Sequence, residues 1–249
     1  MTIEDRYVNH IQRDQIWEHL KWHPTNAQIH ELTTLQYLLK KLNKEVNLTR
    51  LLDGNDFWVA QILDSLWPFK NELKSQSQSL KIIDVGTGCG LPGLAIAIAL
   101  PNSSLTLVDS IKKKTNAVRE LIEGLNLQSR VSVRTERIEL TGQNMGFRYK
   151  FDFALARAVA QAPVLAEYLI PLLNPAGEAI LYKGKWTKND HQTLEQSLFL
   201  LQGKIKKVDS FQLPEQRGIR HAIRIKSVGS CPNRYPRDIG IPLKKPLNS

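Results

Sequence analysis

Apolar side chains recur at helical spacing in the first 70 residues. Between residues 26 and 44 they return every three or four positions, which predicts a helix. This stripe comprises Ile29, Leu32, Leu35, Leu38, Leu39 and Leu42, and its start signals are Pro24 followed by Thr25 or Asn26. A second apolar cluster predicts a helix over 57–66 that Pro68 should end. Residues 1–70 are therefore predicted to form a helical N-terminal extension and cap.

Strands and helices alternate after a polar, low-complexity linker predicted at 71–79. Short apolar runs predict strands at 80–85, 104–109, 131–134, 151–156 and 178–183. Helical patterns are predicted at 94–100, 112–125, 163–173 and 189–202. This alternation is typical of a parallel sheet with helices on both faces. The last two predicted strands, 204–213 and 218–227, are joined only by a short turn and should pair antiparallel. The predicted fold is therefore α/β, with a Rossmann-like sheet over 80–227 and an antiparallel last strand pair.

Positive charge is concentrated near the C-terminus. The 249 residues include 34 Lys and Arg and 24 Asp and Glu, a net charge of +10. Residues 203–249 contain 11 basic and three acidic side chains, an excess of eight. A local cationic excess favours a nucleic-acid or phosphate partner, although a merely solvated tail is an alternative. We predict a basic, Pro-containing C-terminal tail over 228–249, in which the prolines forbid a long membrane-binding helix.

Several classes of protein are disfavoured by what the sequence lacks. No stretch approaches the roughly 18 unbroken apolar residues of a membrane span, and the opening MTIEDRYVNHIQ does not resemble a secretory signal. Cys89 and Cys231 make neither a disulfide framework nor a metal set. We expect a cytoplasmic monomer with no membrane partner and no metal.

A glycine-rich turn follows the first predicted strand. The glycines Gly86, Gly88 and Gly90 form the pattern GxGxG, which departs from the dinucleotide fingerprint GxGxxG because Leu91 occupies its sixth position. Asp84 precedes the turn, where a carboxylate would repel a pyrophosphate but attract a cation. S-adenosylmethionine has a sulfonium and an ammonium group and no phosphate. A turn with a purely conformational role is the alternative.

The arrangement DxGxGxG resembles the first motif of class I S-adenosylmethionine methyltransferases. Asp109 ends the second predicted strand, where an acidic residue meets ribose hydroxyls in nucleoside-binding folds of this type. The two terminal strands agree with this resemblance, because class I methyltransferases end in an antiparallel pair.

A set of more specific segments occurs in a fixed order between residues 47 and 247. They are NLTR (47–50), WVAQILDSL (58–66), DVGTGCGLPG (84–93), VDS (108–110), RIE (137–139), ARAVA (156–160), LYKG (181–184) and YPRDIGIPLKKPL (235–247). Together they resemble the glucose-inhibited division protein B family of 16S ribosomal RNA guanine-N7 methyltransferases. The resemblance implies methylation of one guanine N7 in 16S rRNA of the small ribosomal subunit. Many members have a histidine where this chain has Gln61.

The resemblance also implies site residues. The predicted cofactor-binding residues are Asp84, Gly86, Gly88, Gly90, Leu91, Asp109, Ser110, Ile111, Ile138, Glu139 and Arg157. Arg157 is the predicted catalytic residue, facing both cofactor and substrate. The predicted RNA-binding residues are Arg137, Lys183, Arg234, Arg237, Lys244 and Lys245. Structural alternatives stay open for several of them: a salt-bridged Arg157, a surface Glu139, a solvated Lys183 and a core Ile138.

The fourth predicted strand ends in LARAVA, without the N-P-P-Y-like motif that orients exocyclic amines. Guanine N7 has a free lone pair and carries no proton, so alignment of the reactants can supply most of the catalysis. Three alternatives remain. The first is methylation of another RNA, a protein or a small molecule, the second is a non-catalytic RNA-binding module on this fold, and the third is a nicotinamide enzyme.

Overall fold

The structure is a computed structural model that describes residues 14–75 and 77–247. Residues 1–13 of the predicted extension lie outside the described residues. Helix α1 includes residues 14–20, and α2 spans Asn26–Asn43. Thr25 starts α2 with a capping box, because its side chain accepts from the Gln28 backbone N–H and the Gln28 side chain accepts in return. The helix predicted over 26–44 is confirmed, with its end one residue earlier, at Asn43.

The next helical run is longer than predicted. It contains short helical pieces of different pitch: α3 (Gly54–Phe57), a π-helix (Trp58–Leu63), α4 (Asp64–Leu66), a 3₁₀ turn (Trp67–Phe69) and α5 (Lys70–Lys74). The predicted end at Pro68 is wrong, because Pro68 lies in the first turn of a new helical piece, where its missing N–H is tolerated. Because the helical piece that begins around Pro68 continues into α5, the predicted linker is helical as far as Lys74.

A mixed sheet of seven strands forms the centre of the described chain. The strands are β1 (Lys81–Val85), β2 (Ser104–Asp109), β3 (Val131–Thr135), β4 (Phe151–Arg157), β5 (Leu173–Lys183), β6 (Gly203–Gln212) and β7 (Ile219–Ser227). Their order is β3-β2-β1-β4-β5-β7-β6, and β7 runs antiparallel to both β5 and β6. The α/β fold class with an antiparallel last pair is confirmed. The strand order reverses between β1 and β4, which places a ligand crevice at the carboxyl ends of these two strands.

Helices cover both faces of the sheet. They are α6 (Gly93–Ala99), α7 (Lys112–Gly124), α8 (Ile138–Gln143), α9 (Ala162–Leu169), α10 (Lys188–Leu201) and α11 (Ile241–Lys244). Helix α2 packs on α6 and α7 through Leu32, Leu35 and Leu39, which are fully buried. The N-terminal helices therefore share one core with the sheet. Among the described residues, no helix has the length and apolarity needed to cross a membrane.

The C-terminal segment (residues 228–247) packs on the opposite core through Cys231, Tyr235 and Leu247, which are buried. The buried guanidinium of Arg148 donates to the carbonyl oxygens of Cys231 and Tyr235. The prediction of a basic tail is thus corrected: the segment is basic, but it is part of the folded core. The sequence pattern missed this because its buried positions are separated by prolines and follow no helical or strand period.

Candidate active site

The glycine loop connects β1 to α6 at the crevice. Gly86, Gly88 and Gly90 have left-handed backbone angles, with φ of +71°, +58° and +89°. At Gly88 the nearest atom to an added Cβ would be 3.9 Å away, so the backbone is open to a ligand. At Gly90 an added Cβ would lie 2.5 Å from the Leu94 side chain. Gly90 therefore serves the turn and its packing, and its predicted cofactor contact stays a prediction.

Asp84 lies behind this loop and is fully buried. Its Oδ2 accepts hydrogen bonds from Thr87 Oγ1 at 2.7 Å and from the Gly93 N–H at 3.0 Å. Burial raises the pKa of Asp84 to about 6, although these hydrogen bonds oppose the shift. The carboxyl group holds the loop to the start of α6. Its predicted role in cofactor binding stays a prediction.

A cavity of about 670 Å³, the central cavity, lies beside the loop. Leu91, Gly86 and Gly88 line it, and their contact with the cofactor stays a prediction. Its lining includes the cationic side chains Lys114, Arg157, Lys183 and Arg220. The arrangement favours a ligand that carries negative charge.

Arg157 ends β4 and faces the central cavity. Its Nη2 donates to Gln61 Oε1 at 2.5 Å, and its Nη1 lies 3.3 Å from Asp64 Oδ2. Asp64 also pairs with Arg220 at 3.5 Å, so one carboxylate holds two arginines at the cavity. Burial raises the pKa of Asp64, and both arginines oppose that shift. The half-buried cation thus has the acid partner that its apolar sequence surroundings require.

A second cavity of about 340 Å³, the side cavity, continues around the loop. It shares Gly86, Gly88, Lys114 and Ala158 with the central cavity. Asp109, Ser110, Ile111, Arg137 and Ile138 line it, as do Val159, Tyr168 and Leu243. The structure therefore brings together the end of β2 and the start of α8, which the sequence assigned to one ligand. Their contact with that ligand stays a prediction.

Asp109 lines the side cavity and holds Gly88, a residue that both cavities share. Its Oδ2 accepts from the Gly88 N–H at 2.9 Å, and its Oδ1 accepts from the Ile111 N–H at 2.9 Å. Each carboxylate oxygen can accept a further hydrogen bond. Asp109 therefore fixes the glycine loop and can still accept from ribose hydroxyls.

Glu139 and Arg137 pair with each other at the wall of the side cavity. Glu139 is fully buried and accepts from Arg137, from the Tyr168 hydroxyl at 3.2 Å and from the Gly240 N–H at 2.9 Å. It connects the cavity wall to the C-terminal segment, and its predicted contact with the adenine stays a prediction. Burial raises its pKa, but the bonds from Gly240 and Arg137 outweigh this and lower the pKa overall. Arg137 is engaged by this acid and lines the side cavity, so it is not a free RNA-binding cation.

Of the other predicted RNA-binding residues, two donate to groups within the protein and three are exposed. Arg237 donates to the fully buried Glu167 from both Nε and Nη2, at 2.9 and 2.7 Å, so it has a partner within the protein, and its predicted RNA contact stays a prediction. Lys183 lines the central cavity, and its Nζ donates to the Ala160 carbonyl at 2.6 Å. The exposed residues Arg234, Lys244 and Lys245 stay predictions as RNA contacts.

The sequence analysis missed Gln61, Asp64, Lys114, Arg220 and Leu243 as lining residues. Gln61 and Asp64 belong to the family-specific segment 58–66, so a signal was present without an assigned role. Arg220 lies on an antiparallel strand whose alternation gives no hint of the cavity. Among the described residues, no group of three His, Cys, Asp or Glu side chains could hold a metal. The prediction that no metal is needed stays a prediction.

Comparison with known proteins identifies the family. Residues 28–220 match the family described as rRNA small subunit methyltransferase G. A Prochlorococcus marinus protein named ribosomal RNA small subunit methyltransferase G is 60% identical over 96% of this chain and 94% of its own length. A Synechococcus protein of the same name is 52% identical over 94% of this chain and 97% of its own length.

Solved structures agree at the level of the fold. A putative methyltransferase complexed with SAH has a TM-score of 0.50 at 12% identity, covering 65% of this chain and 49% of that protein. The family match covers most of the chain, and the relatives are similar over almost all of it. The chain therefore belongs to the rRNA small subunit methyltransferase G family, which confirms the family predicted from its sequence.

Proposed function

We propose that this protein transfers the methyl group of S-adenosylmethionine to N7 of a guanine in 16S ribosomal RNA. One observation carries the proposal. In a chain of this family, a glycine loop borders two cavities at the strand-order reversal, Asp109 lines one of them, and cations line the other. Such an edge is where α/β sheets of this type bind ligands.

The residues present fit S-adenosylmethionine. The side cavity offers Asp109 for ribose hydroxyls and apolar walls at Ile111 and Ile138 for a purine. The central cavity, which shares Gly86 and Gly88 with it, offers space for the methionine part and the target base. When bound, the cofactor supplies an electrophilic methyl group on a sulfonium. The chain's residues bind and orient both reactants.

Guanine N7 needs no proton removed before it attacks, so the site requires orientation more than general-base chemistry. The planar guanidinium of Arg157 can hydrogen-bond a carboxylate or the O6 edge beside N7. Gln61 and Asp64 hold this guanidinium on one side, which fixes the direction in which its remaining donors point. We assign Arg157 to the alignment of N7 with the methyl group.

Ribosomal RNA is the partner that the charges favour. Lys114, Lys183 and Arg220 border the central cavity and can position phosphates without reading sequence. Guanine N7 lies on the Hoogsteen edge, which is accessible in loops and unstacked bases. We expect the protein to work as a monomer in the cytoplasm, where small subunits are assembled.

A transfer assay tests the proposal. The protein is incubated with methyl-labelled S-adenosylmethionine and small ribosomal subunits from a strain that lacks the corresponding methyltransferase. We expect the label to enter RNA, to be released by ribonuclease and to be absent with the Asp109→Ala variant. Label in protein, label in a small molecule or no transfer to RNA would contradict the proposal.

A further inference from the structure

The side cavity has an apolar wall contributed by a distant part of the chain. Leu243 of α11 lines the cavity together with Ile111 and Val159. These three side chains are 47%, 48% and 38% exposed. Apolar groups that meet at a cavity while still partly exposed gain free energy when an apolar, flat ligand covers them.

The segment that carries Leu243 is tied to the same cavity through Glu139. The carboxylate accepts from the Gly240 N–H at 2.9 Å, three residues before Leu243. It also accepts from Arg137 and Tyr168, which line the cavity. Glu139 is fully buried, so release of Gly240 would leave the carboxylate with one partner fewer in a dry site.

A second anchor closes the segment on itself. The Arg237 backbone N–H and guanidinium both donate to Glu167, and Arg237 Nη2 also donates to the Lys245 carbonyl at 2.7 Å. This last bond joins the two ends of residues 237–245, here called the C-terminal loop. Leu243 is therefore held at the cavity by contacts on both sides of it.

We propose that Leu243 is a cofactor-binding residue and that the C-terminal loop forms the outer wall of the adenosine-binding cavity. This inference rests on the proposed function, because Asp109 and Ile138 of the same cavity are assigned there to the ribose and the purine. Binding of the adenosine part and docking of the C-terminal loop then stabilise each other, since the coupling between two such events is reciprocal. The loop thus serves cofactor binding, whereas its charges alone suggested RNA.

Calorimetric titration with S-adenosylhomocysteine tests the inference without relying on turnover. We expect Leu243→Ala to weaken binding about three- to tenfold, because part of the apolar wall is lost. Leu243→Met, which keeps the volume, should stay within about twofold of the wild type. Ile239→Ala is the matched control: this residue lies in the same loop and is 51% exposed, but it is not among the lining residues. It should bind like the wild type.

Amide hydrogen exchange gives a second readout. S-adenosylhomocysteine should slow exchange in the C-terminal loop of the wild type. If Leu243→Ala binds as tightly as the wild type, or if exchange in the loop does not change, the inference is overturned while the proposed function stands. If the wild type itself does not bind S-adenosylhomocysteine, the proposed function fails, and the inference fails with it.

Discussion

Asp109 combines two tasks in one carboxylate. Its oxygens hold the Gly88 and Ile111 N–H groups, and they face the cavity assigned to the ribose. We predict that Asp109→Ala raises the dissociation constant for S-adenosylhomocysteine at least tenfold, since losing charged hydrogen bonds costs about 1.5–3 kcal/mol. Calorimetry measures this, and Asp53→Ala, which removes an exposed carboxylate paired with Lys40, is the control. An unchanged constant in a folded Asp109→Ala variant would remove Asp109 from the site.

Arg157 is a cation whose geometry matters more than its charge. Lysine at this position keeps the charge but cannot hold Gln61 and Asp64 while also offering donors to a ligand. We predict that Arg157→Lys lowers the rate of methyl transfer at least tenfold and leaves the melting temperature nearly unchanged. Single-turnover kinetics at saturating cofactor measures the effect. Wild-type rates in both Arg157→Lys and Arg157→Ala would make Arg157 purely structural.

Asp84 should leave a signature in the pH dependence of stability. Its pKa is raised from 3.8 when unfolded to about 6 when folded, so between these values the native state binds more protons than the unfolded state. The free energy of unfolding contributed by this group therefore falls as the pH rises through that window. Relative to Asp84→Asn, the wild type should lose about 1 kcal/mol between pH 5 and pH 7. Urea denaturation measures both free energies of unfolding. If the difference between the two proteins is the same at pH 5 and pH 7, the raised pKa of Asp84 is refuted.

At the residue scale, the sequence predicted positions better than roles. Asp109 was assigned from its place at a strand end and Ser110 and Ile111 from the family resemblance, and the structure brings all three to one cavity. Glu139 and Arg237 were given ligand roles because a sequence shows the charge of a side chain but not its burial or its partners. Each pairs with a group that is remote in sequence: Glu139 with Gly240, and Arg237 with Glu167.

At the scale of elements, the packing of the C-terminal segment on the fold depends on the ion pair between Arg237 and Glu167. Removing its guanidinium leaves the buried Glu167 carboxylate without its main partner. We predict that Arg237→Ala lowers the free energy of unfolding by about 1–3 kcal/mol, at the lower end of values for buried pairs because the arginine is partly exposed. Arg234→Ala, an exposed arginine in the same segment, should change it by less than about 0.5 kcal/mol. Chemical denaturation compares them, and equal stabilities would mean that the ion pair contributes nothing.

Elements with a regular period were predictable. Helix α2 was predicted from a repeat of about 3.6 residues, and the strands of the sheet were predicted from short apolar runs. The helix end predicted at Pro68 was wrong because a proline that ends one helix can also begin the next. Helices α8 and α11 were missed because they span six and four residues, too short to show a period.

Across the whole molecule, the exposed cations of the C-terminal segment stay candidates for phosphate contacts. Deleting the segment would also remove the Arg237 anchor, so substitution is the cleaner test. We predict that replacing Arg234, Lys244 and Lys245 together by alanine makes the slope of log affinity against log salt shallower by up to about 0.7–0.9 per lost contact. Filter binding to 16S rRNA measures the slope. The control replaces Lys40 and Lys41 of α2 and Lys44, which follows it, and equal slopes in all three proteins would show that the segment does not contact phosphates.

The site of modification tests the central claim most directly. RNA methylated by the protein is treated with borohydride and aniline, which cleave the chain at 7-methylguanosine, and the ends are mapped by primer extension. We predict one new cleavage in 16S rRNA, at a guanine, that depends on both the protein and S-adenosylmethionine. Methyl label in RNA without such cleavage, or label at another base, would contradict it.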